Sequence, residues 1–597
     1  VGGYAVTYPN LRSFLRDLEA RGELARVRKE VDADQEITII QHRVQARGGP
    51  ALLFERVKGS PYRLVSNLFG TPERVSRVFG GAPEAIGHRL VRIAEAIMPP
   101  SPKSMWQLRR EFPLLWRSRL KHVSSGPVLE TVKEPANLHQ LPVLKCWPED
   151  GGHFFTLPLV HTVDPLSGKG NMGIYRLQRY DAGSTGMHWQ IEKGGGFHFQ
   201  LASELRRPLP VSVFLGGPPA LTIAAVAPLP EGIDERLLAA MMMGRPLAVI
   251  RRKWTGHRIP AEAEFVLEGT VTHGDMAREG PFGDHFGHYS HSADFPVFRV
   301  KRVLSRRDAI YPATVVGKPV QEDFHIGAAL QEMALPLLKI MRPAVTAIWA
   351  YPETGFHPLA VMAVKQRYPR EALKHTLGML GEGQVSLTKI MITVDYGVDV
   401  KDFKAVSTAL WRHLDLRDGL HLLSPTVQDT LDFTGPAMNS GSRLVLIACR
   451  KAGGPVREQL PQKLDETEGI HPNLHRVRSL GPAFLIAQLR SNNVDIEAVR
   501  AALASHSAAR HYLFHVLVSP DIPMDDMTMI FWGWFTRFDP LLDIHAADRR
   551  VRGNRIEFHA PIAIDARWKK GYPKPVEFDP TVEQRVNARW KSFNLPG

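Results

Sequence analysis

Cysteine is nearly absent: Cys146 and Cys449 are the two in 597 residues, and no CxxC pair occurs. This excludes a disulfide framework and a cysteine-built zinc centre, and it suits a reducing compartment. Long apolar runs are missing too, so no membrane span is expected. The opening VGGYAVTYPNLRSFLRDLEARGELARV lacks the apolar core of a signal peptide, and the expected location is the cytoplasm. Low-complexity tracts are absent. A hydrophobic share of 44% and a charged share of 23% are those of a chain that folds, at a length that implies about three or four packed units. No nucleic-acid-binding module is present either. The net charge of +14 is dispersed, with RRKW at 251–254 the densest run and LRREFPLLWRSRLK at 108–121 weaker. A solvated face or a pocket for an anionic ligand is expected, with no nucleic-acid partner.

What is present changes character along the chain. The first 125 residues read as a small α/β unit: a helix with Leu11, Phe14, Leu15 and Leu18 on one face and Asn10 as its cap, then strands at GELARV, PALLFERV and YRLVSNLFG. Residues 85–121 read as helical and basic, broken at MPPSPKS. From 126 to 325 short strands dominate, among them LPLVHTV, NMGIYRLQRY, LPVSVFLG, LTIAAVA, EFVLEGTV and FPVFRVKRVLSR, which predicts a β-barrel or sandwich. A helix at IGAALQEMALPLLKIM leads into an α/β domain at 326–455. Its strand, helix, strand, acidic turn, helix order recurs at 456–597, Asp402 preceding Trp411 by the interval that separates Asp525 from Trp534. We read an internal duplication followed by a helical tail.

Chemistry concentrates in the strand-rich segment. EGPFGDHFGHYS, 279–290, sets Glu279 and Asp284 five positions apart around Gly280, Pro281 and Gly283. Two acids on a surface turn are ordinarily just solvated. On a rigid loop between strands they can split their pKa values and transfer a proton, particularly beside an arginine. Upstream, residues 171–200 carry Asn171, Arg176, His188, Lys193 and His198. On a regular strand Asn171 and Arg176 face opposite ways, and a bulge at Gly173 would reconcile them. The glycines at 194–196 lack the spacing of a dinucleotide fingerprint. Acids Glu231 and Glu235 either open a helix or hold a ligand. His285, His288 and His291 are read as pocket lining, not a zinc site.

Taken in order, NMGIYRLQRYD, GMHWQIEK, PLPEGIDE, LEGTV and EGPFGDHFGHYS, followed by FPVFRVKRVLSRRDAIYPATVVGKP, resemble the UbiD-type reversible decarboxylases that use prenylated FMN. The resemblance runs from YPNLRSFLRDLEARGEL to NSGSR and includes the tail from ARWKKGYPKP. It implies an N-terminal α/β unit, a central split β-barrel like that of flavin reductases, and a dimerising C-terminal α/β domain. It implies a catalytic network of Arg176, Glu279 and Asp284, with Asp284 as proton donor. At the cofactor it places Asn171, Ile174, Arg176, Gln190, Lys193 and Arg443, the last where the family has a lysine. Asn171, His198 and Glu235 would hold Mn2+ or Mg2+ against the cofactor phosphate, with K+ nearby. A flavin prenyltransferase would supply the cofactor, and a homodimer or larger homo-oligomer is expected. The motifs look closest to the menaquinone-biosynthesis branch, whose acid is 1,4-dihydroxy-6-naphthoate; hydroxybenzoate, heteroaromatic and polycyclic aromatic acids are the alternatives. Readings of another class are a split-barrel FMN oxidoreductase and a non-catalytic flavin-binding scaffold.

Overall fold

The computed structural model describes residues 8–97, 101, 103, 106, 108–109, 111–189, 194–229, 232–450, 456–467, 469–553 and 555–595. They form a mixed α/β structure of two compact units, one of residues up to Ala334 together with those from Lys574 onward, the other Leu335–Pro573. This is coarser than the four segments expected from sequence, and it relocates the tail. Helix Pro580–Arg589 belongs to the first unit, where it packs on helix Glu36–Gln45. There Arg43 Nη2 donates to Glu583 Oε1 at 2.9 Å, and Arg589 pairs with Glu36. Among the described residues no helix is long and apolar enough to cross a membrane.

In the first unit, helix Leu11–Ala20 starts where sequence places it: Asn10 accepts the Ser13 amide at 2.9 Å and Ser13 Oγ accepts the Asn10 amide, a reciprocal cap. The buried stripe is Leu11, Phe14, Leu15 and Leu18. Strands Leu24–Val27, Ala51–Phe54 and Arg63–Ser66 form a mixed sheet completed by Ile310–Pro312, which returns from the far end of the central segment.

The central sheet is antiparallel. Its order is Ser184–Gly186, Ala293–Ser305, Phe265–Glu279, Leu209–Leu215, Leu159–Val163 and Gly170–Ile174, with Thr131–Lys133 pairing Ala293–Ser305 from the side. Among the described residues this path does not close on itself. Its spine is the long hairpin Phe265–Glu279 and Ala293–Ser305, whose register slips between Glu268 and Gly269. A Cβ at Gly269 would stand 2.0 Å from the Arg299 carbonyl, so the slip requires glycine. LTIAAVA, expected as a strand, is instead helical: Pro219–Ala224 is buried throughout. An unbroken apolar run carries no periodicity to separate the two states, and Pro219, pre-set for a first helical turn, decides it.

The second unit repeats one topology. Strands Val345–Ala350, Leu359–Val364, Ile390–Asp395, Ser440–Ala448 and Leu420–Val427 lie side by side with antiparallel outer pairs and a parallel centre. Leu474–Leu480, Phe484–Leu489, Phe514–Val518, Ile562–Ala566 and Ile544–Ala546 adopt the same order and directions, with the short strand Asp465–Glu466 added at one edge. The paired helices Phe403–His413 and Met527–Phe535 are capped by Asp402 and Asp526. The cap in the second copy is thus one residue beyond Asp525, which pairs with Arg476 at 2.9 Å. The copies share a core: Phe403 stacks on Phe484 at 5.5 Å and meets Trp534 edge-on at 6.1 Å.

Candidate active site

The hairpin spine delivers the first acid. Glu279 is the last residue of strand Phe265–Glu279, paired with Ala293, and the loop 280–292 that closes the hairpin carries Asp284. The arginine comes from a break in a neighbouring strand. Strand Gly170–Ile174 keeps regular register with Leu159–Val163 through Gly173, so the expected bulge is absent. The strand stops after Ile174, pairing resumes at Leu177–Gln178 against Phe154–Phe155, and Arg176 sits in the gap, released from the alternation.

Arg176 binds both acids at once. Its Nε donates to Glu279 Oε1 at 3.0 Å, one Nη donates to Asp284 Oδ2, and the other reaches Ser290 Oγ at 3.2 Å. The guanidinium lies over the Phe282 ring, 5.0 Å from its centre. His188 adds a fourth member, Nδ1 standing 2.8 Å from Glu279 Oε1. All four are buried, Glu279 to 1% exposure.

Burial alone would raise both carboxyl pKa values. For Glu279 the Arg176 charge and the His188 hydrogen bond outweigh it and hold the group below its ordinary range. For Asp284 the Arg176 charge and the His285 contacts do the same, driving it far below. Burial, reinforced by Arg176, pushes His188 down, which favours the neutral ring. The network therefore rests as one cation with two anions, desolvated and mutually bonded.

The loop is fixed from outside by residues that no sequence pattern singled out. Asp150 Oδ1 accepts the Gly283 amide at 2.8 Å, while Oδ2 accepts those of Cys146 and Trp147 at 3.0 and 2.9 Å. Gln178 accepts the Gly280 amide at 2.8 Å and donates to the Gly151 carbonyl at 2.8 Å. The signal for Asp150 was its place before Gly151 and Gly152 in a loop-rich stretch, too common a pattern to read as a tether.

A second constellation lies on adjoining elements: Asn171 and Ile174 on strand Gly170–Ile174, His198 on helix Gly194–Glu204, and Glu235 opening helix Glu235–Met243. Glu235 accepts the Met172 amide at 2.7 Å, and burial pushes its carboxyl up to about 7. His198 Nδ1 is 2.8 Å from Thr162 Oγ1. The Tyr175 hydroxyl links the set, hydrogen-bonded to the Asn171 side chain, accepting the Gly195 amide at 3.2 Å and feeling the Glu235 charge. Oxygen donors with one imidazole suit a hard divalent cation. Among the described residues, no three His, Cys, Asp or Glu side chains cluster as a metal site. Gln190, Lys193 and Glu231 lie outside the described residues. His288 Nδ1 contacts the Phe286 carbonyl at 3.0 Å.

The residues fit an anionic, ring-bearing cofactor on three observations. Helix Gly194–Glu204 opens on three glycines, and its first turn, where the Gly195 amide donates to Tyr175, is the end of the helix dipole that favours an anion. A Cβ at Gly194 or Gly195 would lie 2.2 Å from Asn171 Oδ1 or 2.6 Å from Trp189 Nε1, so side chains are excluded from that turn. Trp189 Nε1 and His188 Nε2 are buried without a protein hydrogen-bond partner. Arg443 lies in the second unit on strand Ser440–Ala448, its guanidinium donating to the carbonyls of Leu380, Ser386 and Val427.

Three family models match the chain: the 3-octaprenyl-4-hydroxybenzoate carboxy-lyase N-terminal domain at 15–94, its Rift-related domain at 121–319 and its C-terminal domain at 324–448. A Chlamydia pneumoniae protein named as a subunit of 4-hydroxybenzoate decarboxylase is 37% identical over 98% of both chains. An Archaeoglobus fulgidus protein is 39% identical over 75% of this chain and 92% of its own. Among solved structures, the closed form of Sedimentibacter hydroxybenzoicus vanillic acid decarboxylase aligns with TM-score 0.67 and 25% identity, covering 78% of this chain and 97% of its own. The UbiD-class enzyme HmfF from Pelotomaculum thermopropionicum, in complex with FMN, aligns with TM-score 0.62 and 26% identity over 74% and 94%. An evolved dimeric form of HmfF, in complex with prFMN, aligns with the same TM-score over 76% and 97%. The matched domains account for most of the chain, in order, and the chain belongs to the UbiD family of aromatic-acid decarboxylases.

Proposed function

We propose that the chain carries out non-oxidative, reversible decarboxylation of an aromatic carboxylic acid with prenylated FMN as cofactor. The observation that carries the reading is the buried network in which Arg176 bonds Glu279 and Asp284 together. Loss of carbon dioxide from a ring leaves carbanion character that no side chain stabilises, and prenylated FMN, when bound, supplies the electron sink. The protein's own part is then placement and one proton. Arg176, held by Glu279, orients the substrate carboxylate, and Asp284 brings the proton to the ring carbon. Burial keeps bulk water away from that transfer.

Asn171, Ile174, Arg176, Gln190 and Lys193 would hold the cofactor, its phosphate at the first turn of helix Gly194–Glu204. Asn171, His198 and Glu235 would hold Mn2+ or Mg2+, with K+ beside them. Arg443 is left out of this set, because its guanidinium already serves three main-chain carbonyls. A flavin prenyltransferase supplies the cofactor, the central sheet is a split barrel, and the assembly is at least a homodimer.

Two substrate readings are carried. The motif order favours the bicyclic 1,4-dihydroxy-6-naphthoate. The full-length likeness to a protein named for 4-hydroxybenzoate decarboxylase favours a monocyclic hydroxybenzoate. The test is hydrogen–deuterium exchange by NMR, in deuterated buffer, on 1,4-dihydroxynaphthalene and phenol, with protein co-expressed with a flavin prenyltransferase. Exchange at the carbon that would bear the carboxylate, lost in Asp284→Asn, establishes the reaction and identifies the ring. Absence of bound flavin by mass spectrometry would overturn the cofactor assignment, and NAD(P)H oxidation would favour an FMN oxidoreductase.

A further inference from the structure

A buried acid that gives a proton to carbon must recover one each cycle, and the surroundings of Asp284 restrict the route. Its Oδ2 is held by Arg176, a guanidinium that does not give up a proton in a protein. Its Oδ1 accepts the His285 amide at 2.8 Å and lies 3.1 Å from His285 Nδ1. Asp284 keeps 12% of its side-chain surface and His285 keeps 24%, so the imidazole extends from the enclosed acid toward solvent. Gln321 Nε2 donates to the His285 carbonyl at 2.8 Å and fixes the residue from behind. Asp323, in the first turn of helix Glu322–Met341, feels the charges of both His285 and Asp284, and burial pushes its carboxyl up.

We propose that His285 is the relay through which Asp284 exchanges its proton with solvent. The inference rests on the assignment of Asp284 as proton donor. In the decarboxylating direction the Nδ1–H bond of His285 breaks as the Oδ1–H bond of Asp284 forms. The ring takes a proton at Nε2 from solvent and resets by exchange. One proton enters for each carbon dioxide released, and no electrons move. His285 acts through Asp284 and is a positioning and relay residue, not one that touches the reacting carbon.

The experiment uses holoenzyme co-expressed with a flavin prenyltransferase, with phenol and 1,4-dihydroxynaphthalene as exchange probes. His285→Gln and His285→Ala are expected to keep the bound-flavin absorbance while exchange falls about 100-fold, and added imidazole is expected to restore about tenfold of it in the alanine variant. Wild-type exchange rates in both variants, a loss that imidazole does not restore, or loss of the flavin itself would each overturn the relay. Asp284→Asn exchanging like wild type would instead overturn the proton-donor reading beneath it. Independently of any probe, 15N shifts of the His285 ring must report a proton on Nδ1 that responds to Asp284→Asn. A bare Nδ1 overturns the relay even if neither compound exchanges.

Discussion

Asp150 Oδ1 and the Gly283 main-chain amide, 2.8 Å apart, tie the loop that carries Asp284 to the segment that follows Cys146. The same carboxyl accepts two further amides with its other oxygen, so three donors converge on one side chain. Asparagine has one acceptor oxygen and would turn an N–H toward a donor. Asp150→Asn should therefore destabilise the fold by about 1–3 kcal/mol, the penalty of unpaired buried donors, and slow probe exchange while leaving flavin bound. Denaturant unfolding and the exchange assay together check this; an unchanged rate would mean the loop is held without Asp150.

Arg176→Lys removes the fork that spans two acids. A lysine can meet one carboxylate as a point charge, leaving the other buried without the guanidinium charge. Loss of stability on the order of 3–5 kcal/mol is expected, together with loss of exchange. A melting temperature equal to that of wild type would show that water or relaxation replaces the guanidinium.

Glu279 and Asp284 are both held below their ordinary pKa values, 4.5 and 3.8. A depressed carboxyl contributes stability that is present above the unfolded-state value and lost as pH falls through the folded value. The protein should thus lose melting temperature on acidification below pH about 4.5, and Glu279→Gln should lose less over that window while starting lower at pH 7. Parallel acid profiles for the two proteins would contradict the linkage.

Gly194→Ala tests the anion seat separately from the acids. Its Cβ would meet Asn171 Oδ1 at 2.2 Å, so the side chain must move or the turn must shift. Alanine is the better former of a helix interior by about 1 kcal/mol, which offsets only part of the cost of that shift, so a modest loss of global stability is expected. FMN affinity, read by fluorescence titration, should fall. Unchanged affinity would place the phosphate elsewhere.

Phe403→Ala addresses the shared core of the second unit. The ring packs on Phe484, Phe531 and Trp534, and removing it should cost about 3–5 kcal/mol. Hydrogen exchange should show protection falling in both copies together. Loss confined to one copy would mean that they open independently.

The sequence carried the site's acids and arginine because each sits where local chemistry is visible: two carboxylates around a Gly-Pro turn, an arginine beside an apolar strand. The cap at Asn10 and the repeated strand–helix order were legible for the same reason, being written in adjacent residues. What was hidden was non-local. Nothing near Asp150 announces Gly283, and nothing near His188 announces Glu279, since both pairs form across sheet connections. The Gly173 bulge was a local remedy for a problem the fold solves by ending the strand. Helix Pro219–Ala224 was missed because full burial erases the alternation that distinguishes strand from helix.

The stacking of Phe403 on Phe484, and of both against Trp534, has a consequence for synthesis. These aromatic surfaces are made well apart in time. At roughly 5–20 residues per second, the ribosome needs on the order of ten seconds after Phe403 before Trp534 exists to cover it. For that interval the nascent first copy carries an uncovered apolar face, and the yield of active enzyme depends on how that face is shielded while translation continues.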